Sequence, residues 1–203
     1  MQYGFYFDSS KCGSCKACVM ACKDKNNDLV GRKNRNVIDF SGGTWVETDG
    51  IMVPDGVFSY SISLSCNHCT SPICVANCPT GAMQKRIEDG IVFVDKELCI
   101  GCKTCEATCP YGAPTIKEEE KKMHKCDFCM DYLAEGGRPA CVDACLMRCL
   151  DFGEIEDLRS KYGDVAEIAP MPSASKTSPN IVINLNDNAG KDGTISSSPV
   201  ELL

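Results

Sequence analysis

At 203 residues, with 43% hydrophobic and 24% charged residues, the chain has the make-up of a globular protein of one large or two small domains. A net charge of -7 leaves no basic surface for nucleic acid, and no apolar run approaches the roughly 18 residues needed to span a membrane. The outlier is cysteine, 17 in number, which implies either disulfides in an exported protein or metal in a protein folded in a reducing compartment.

Taken in order, Tyr3 to Phe7 form an aromatic run expected to be a strand. Met1 to Ser10 contain no basic leader or apolar h-region, so no export signal of the chain's own is expected. The first cysteine block reads Cys12-x2-Cys15-x2-Cys18-x3-Cys22 and ends in Lys23. From 23 to 65, turn signals at Gly42-Gly43, Asp49-Gly50 and Asp55-Gly56 separate β-prone pieces at Arg35 to Phe40, Trp45 to Thr48 and Val57 to Leu64. This is expected to be an inserted β region, with Trp45 as a packing or interface anchor.

The second block is Cys66-x2-Cys69-x4-Cys74-x3-Cys78-Pro79 and the third is Cys99-x2-Cys102-x2-Cys105-x3-Cys109-Pro110. Between them, Met83 to Ile87 and Ile91 to Asp95 alternate around Glu88-Asp89-Gly90, which predicts a β-hairpin. The charged run Lys117 to Lys122 reads as solvated surface. The fourth block is Cys126-x2-Cys129, an 11-residue excursion, then Cys141-x3-Cys145. Glu154 to Tyr162 is expected to be a short amphipathic helix. The tail from Pro170 is rich in proline, serine and asparagine, with only Ile181 to Leu185 strand-like. So polar a tail is expected to be disordered or, given its isolated apolar segment, laid over a partner subunit.

The third block reproduces the bacterial ferredoxin run, in which three close thiolates hold one cubane and the fourth, before proline, holds its neighbour. Disulfides do not explain cysteines recurring two and three residues apart in four blocks. Structural zinc sites use Cys-x2-Cys pairs but rarely add a third and fourth cysteine at this spacing. The expected cofactors are therefore four [4Fe-4S] clusters, with a zinc-stapled module as the competing class.

If Cys66 to Cys109 exchange fourth ligands within a central pair, elimination pairs the first block with the last. Cys12, Cys15, Cys18 and Cys145 then hold one cluster, and Cys126, Cys129, Cys141 and Cys22 its neighbour. Cys66, Cys69, Cys74 and Cys109 hold the third, and Cys99, Cys102, Cys105 and Cys78 the fourth. The fold class expected is α+β, with two pseudo-symmetric ferredoxin-like modules (1–22 with 110–150, and 66–109), an inserted β region (23–65), and a short helix and tail (151–203) docking on a partner. Loaded, the chain would carry a charge of roughly -15, which calls for cations and amides facing the sulfurs. Lys11, Lys16, Lys23, Lys103 and Lys125 stand beside ligands and suit that need. His68 and His124 are expected to be donors near sulfur or surface groups. The seventeenth cysteine, Cys149, reads as a buried apolar group or as a substitute for Cys145.

The block order, with Tyr3-Gly4-Phe5, Ser65-Cys66-Asn67-His68-Cys69, Cys99-Ile100-Gly101-Cys102, Cys109-Pro110-Tyr111-Gly112-Ala113-Pro114, Leu150-Asp151-Phe152-Gly153 and Pro179-Asn180-Ile181-Val182-Ile183, resembles the four-cluster iron-sulfur subunits of the complex iron-sulfur molybdoenzymes, the family of anaerobic dimethyl sulfoxide reductase. The resemblance implies an electron-transfer chain without catalysis of its own. Its partners would be a molybdenum bis-pterin catalytic subunit and a membrane anchor subunit oxidising quinol, so the chain would sit peripherally on the cytoplasmic membrane. It implies the same cluster wiring, and a cubane at the Cys102 position, where relatives with tryptophan hold a three-iron centre. A reverse-running relative, such as the beta subunit of a formate dehydrogenase, is the alternative within the class. Leu146 in place of proline and the extra Cys149 depart from the family pattern.

Overall fold

Short strands and short helices alternate along the chain, as expected where cysteine loops interrupt regular structure every few residues. The computed structural model describes residues 1–196. The elements are β1 (Tyr3–Asp8), α1 (Ala17–Asn26), β2 (Arg35–Thr48), β3 (Ile51–Ser65), α2 (Ile73–Ala76), β4 (Met83–Lys85), β5 (Val92–Val94), α3 (Thr104–Thr108), β6 (Thr115–Lys117), β7 (Lys122–His124), α4 (Met130–Ala134), α5 (Ala140–Asp143), β8 (Leu150–Glu154), α6 (Ile155–Tyr162), β9 (Ile181–Asn184) and β10 (Thr194–Ser196). The mixture is that of an α+β protein.

The aromatic run at the start is the middle strand of a three-stranded sheet, antiparallel to β8 and parallel to β9. Its period-two alternation sends Phe5 and Phe7 into the main core with Ile181 and Ile183. Tyr6 points to the other face, where it joins Val182 beneath Ile155 and Leu158 of α6 and stacks on Tyr162 at 3.8 Å. Gly4 has no room for a side chain: a Cβ would lie 2.6 Å from Ile155 Cδ1 and 2.7 Å from the Asn180 carbonyl.

This sheet corrects the expectation for the tail. Ile181 to Asn184 neither hang free nor await a partner; they form β9 in the chain's own sheet, with Ile181, Val182 and Ile183 all buried. Just before it, the tail straps the second cysteine block. Thr70 N–H donates to Ser178 O at 2.8 Å, Asn180 N–H to Asn67 O at 3.0 Å, and Asn180 Nδ2 to His68 O at 2.7 Å. A sequence reading misses this because a four-residue apolar segment pairs with a strand at the opposite end of the chain. Residues 197–203 of the predicted tail lie outside the described residues.

The inserted β region is one long hairpin. The three β-prone pieces merge into β2 and β3, with a register shift between Gly42 and Thr44, and β10 adds to the β2 edge. Gly43 takes φ 92° there, and a Cβ on it would meet the Val57 backbone at 2.5 Å. The hairpin's base sends Val37, Phe40, Phe58, Tyr60 and Ile62 into the same core as Phe5 and Phe7. Its far half is exposed, Trp45 included at 58%. The hairpin β4–β5 forms where alternation predicted it, trimmed to three residues a side. The charged run Lys117 to Lys122 is the turn of a second small hairpin, β6–β7.

A chain truncated after Met171 should therefore lose iron as well as partner binding, measured by iron content after purification. A truncated chain that keeps its iron yet fails to copurify with its partners would restore the clasp. The single change Ile183→Ala should cost about 2–5 kcal/mol of stability, read from denaturant or thermal unfolding.

Candidate iron-sulfur centres

Each Cys-x2-Cys pair is a tight turn, and the turns share one backbone feature. The residue before the second cysteine is left-handed in all four blocks: Ser14 (φ 54°), His68 (φ 43°), Gly101 (φ 69°) and Phe128 (φ 65°). Three of these carry a side chain, for which this conformation costs roughly 1–2 kcal/mol. Its fourfold recurrence shows that the turn requires it. The conformation curls successive backbone N–H groups toward one side, making an anion-binding concavity. The first and third blocks, which share one spacing, repeat a second left-handed residue at Lys16 (φ 59°) and Lys103 (φ 61°), where α1 and α3 begin.

These turns gather the cysteines into groups. Cys78, Cys99, Cys102 and Cys105 line one pocket, walled by Ala82, Met83, Val94, Ile100 and Met123. Backbone N–H groups of Met83 and Met123 donate to the sulfurs of Cys78 and Cys99, each at 3.4 Å. Cys66, Cys69, Cys74 and Cys109 form a second group whose sulfurs act on one another electrostatically. Cys22, Cys126, Cys129 and Cys141 form a third in the same way. Cys12 acts on Cys18, Cys149 hydrogen-bonds both Cys12 and Cys145, and Cys15 is exposed. Cys18 is within reach of Cys141, Cys126 within reach of Cys66, and Cys74 packs in one cluster with Cys99 and Cys105. The groups thus follow one another in single file.

Unloaded, this arrangement works against the thiolate. Burial pushes the thiols of Cys69, Cys105 and Cys129 up to about 11, and those of Cys22 and Cys74 to about 12. A bound cation is what makes a buried thiolate tenable. Three donors point to the same need. Arg35 Nε, Asn67 Nδ2 and His68 Nε2 are buried without a hydrogen-bond partner among the described residues, each a cost of roughly 1–3 kcal/mol. All three residues adjoin or face cysteine sulfurs, and what they lack is an acceptor. A cubane would present four sulfides and its four cysteine thiolates as acceptors, so the residues fit one. Among the described residues no three His, Cys, Asp or Glu side chains are close enough to share a single metal ion. A cubane is larger than an ion and holds its thiolates apart.

His68 is buried and lies between two of the cysteines, Cys66 and Cys69, in sequence. Val92 N–H donates to its Nδ1 at 2.9 Å, which leaves the ring proton on Nε2. Burial, with Lys125, Lys85 and Arg35 nearby, holds the ring well below the usual imidazole range. His124 is instead a surface partner of Glu120, 2.6 Å away. Of the five lysines beside ligands, only Lys125 is buried, and its Nζ donates to the carbonyls of Val92 and Cys126. Lys11, Lys16 and Lys103 pair with Asp8, Asp39 and Glu118, and Lys23 caps carbonyls of Leu29 and Arg32. Cys149 is buried, and its Sγ lies 3.4 Å from that of Cys145 and within hydrogen-bond reach of Cys12. Sequence spacing gave no hint of Arg35, which belongs to the hairpin and not to a cysteine block.

Residues 57–155 match a family model described as a 4Fe-4S dicluster domain, and residues 9–27 match one described as a 4Fe-4S binding domain. The chain is 50% identical over 192 residues to the B subunit of anaerobic dimethyl sulfoxide reductase from Shigella flexneri, covering 95% of this chain and 93% of that one. It is 46% identical over 196 residues to the corresponding B subunit from Haemophilus influenzae, covering 96% and 95%. Against the B subunit of polysulfide reductase from Wolinella succinogenes it is 37% identical over 196 residues, covering 93% and 97%. Four cysteine blocks gathered into groups, and identity of this order from end to end, make the chain an electron-transfer iron-sulfur protein that carries [4Fe-4S] clusters; it belongs to the family of anaerobic dimethyl sulfoxide reductase B subunits.

Proposed function

We propose that this chain relays single electrons from a membrane anchor subunit that oxidises quinol to a molybdenum bis-pterin catalytic subunit. Cys12, Cys15, Cys18 and Cys145 hold the first cluster and Cys22, Cys126, Cys129 and Cys141 the second. Cys66, Cys69, Cys74 and Cys109 hold the third and Cys78, Cys99, Cys102 and Cys105 the fourth. When bound, each cluster supplies a centre that changes by one electron. The observation that carries the reading is the filing of the groups. All four cysteines of the second group are buried, whereas the first and fourth each include an exposed cysteine, Cys15 and Cys102. A series of adjoining groups whose fully exposed cysteines belong to its first and last members is suited to receive charge at one end and release it at the other.

The polypeptide's own work is to position, insulate and tune. Met83 and Met123 N–H groups stabilise anionic sulfur at the fourth site, and the apolar walls of both cores keep water from the middle of the row. The modules run 1–22 with 110–150, and 66–109, the inserted region 23–65 with its hairpin β2–β3 bracing the outer one. The chain performs no catalysis alone, since nearly every reactive side chain is taken as a ligand. No helix among the described residues is long and apolar enough to cross a membrane. Membrane attachment therefore falls to the anchor, with the chain peripheral.

Replacing Cys102 by serine should convert one cubane to a three-iron form, seen in the spectrum of the oxidised protein. Turnover driven by quinol should then fall much further than turnover driven by an artificial donor; equal losses would remove the exposed fourth site from the quinol side. Cys145→Ala should cost one cluster, read as iron content, while Cys149→Ala should keep all four. The opposite outcome would make Cys149 the ligand.

A further inference from the structure

Arg35 opens β2 and is 2% exposed, the largest of the fully buried side chains. Its partners are all neutral. Nη1 donates to Ser63 O at 3.2 Å and Ser63 Oγ at 3.1 Å, Nη2 donates to Ser65 Oγ at 2.9 Å, and the guanidinium lies 4.7 Å from the centre of the Phe5 ring. Nε has no partner among the described residues. A guanidinium does not shed its charge, and a buried charge with neutral partners alone is costly enough that it needs an anion. The sulfurs of Cys141, Cys18, Cys126 and Cys22 are the groups that favour its charge most. Ser63 Oγ ties it to one of them directly, lying 3.4 Å from Cys18 Sγ.

We propose that Arg35 is the shared counter-cation of the first two clusters, raising their reduction potentials and tying the β hairpin to the electron path. The inference rests on the ligand allotment given above. Reduction adds negative charge to a cluster, and a fixed cation in a dry surrounding favours that state. Three of the four sulfurs, Cys22, Cys126 and Cys141, belong to the second cluster, so the effect is larger there. The third cluster has a different cation, Lys125, which acts on Cys74. Arg35 also bonds Ser65 beside Cys66 of the third cluster, so the fourth cluster, whose ligands none of these contacts adjoins, serves as the internal control.

The test is an EPR-monitored redox titration of the complete complex with wild-type chain, R35K and R35Q, with iron counted on the same samples. R35Q should lower the midpoints of the first two clusters most and leave the fourth unmoved. The larger shift should be about tenfold in the oxidised-to-reduced ratio, or ~59 mV for one electron. R35K should stay near wild type. Full iron with four unmoved midpoints in R35Q, or equal shifts in R35K and R35Q, would overturn the inference. If R35Q fails to hold iron, R35K decides: iron kept supports the need for charge, and iron lost reduces Arg35 to a packing role. Iron missing from the wild-type complex would instead sink the cluster reading itself.

Discussion

The structure depends on many sulfurs being held close together in places from which water has been removed. Buried thiols resist ionisation, and the repulsion among neighbouring sulfurs raises the barrier further, as for Cys126 among Cys22, Cys66 and Cys141. Iron reverses that balance by supplying the opposite charge at each group. The rest of the fold answers the same problem. Left-handed turns collect N–H groups, tail residues strap the second block, and two cations without carboxylate partners, Arg35 and Lys125, stand among sulfurs in the interior.

The main core shows how a chain with little regular structure is kept rigid. Phe5 and Phe128 stack at 4.2 Å, and His68 meets Phe128 edge-on at 5.2 Å. Strand, cysteine turns and hairpin are thereby packed into one body. A relay needs this, because potential and spacing are fixed only if the ligands are. Residues from the start, the hairpin, the fourth block and the tail all enter that core, so no part of it closes until the chain is nearly complete.

Chemistry was far more legible in the sequence than architecture was. Cysteine spacing follows from local turn geometry, so Cys99 to Cys109 disclosed a cluster site directly, and exchange of fourth ligands between blocks then implied the rest. The hairpin at Met83 to Asp95 and the helix before Tyr162 were readable for the same reason, being local. Ile181 to Leu185 read as strand-like, but their place in the sheet did not, because the parallel partner Phe5 to Asp8 lies almost the whole chain away. Arg35 was hidden by the same logic. Nothing in Arg35-Asn36-Val37 says that the guanidinium turns inward, and only the packing of β2 and β3 on β1 brings it to the sulfurs.

The most direct test of a four-cluster relay is elemental: iron, acid-labile sulfide and zinc per chain in the complex purified without oxygen together with its natural partners. Four cubanes on sixteen thiolates predict about sixteen irons, a matching number of sulfides and no zinc. A colourless complex carrying zinc, or iron far below that count, would contradict them.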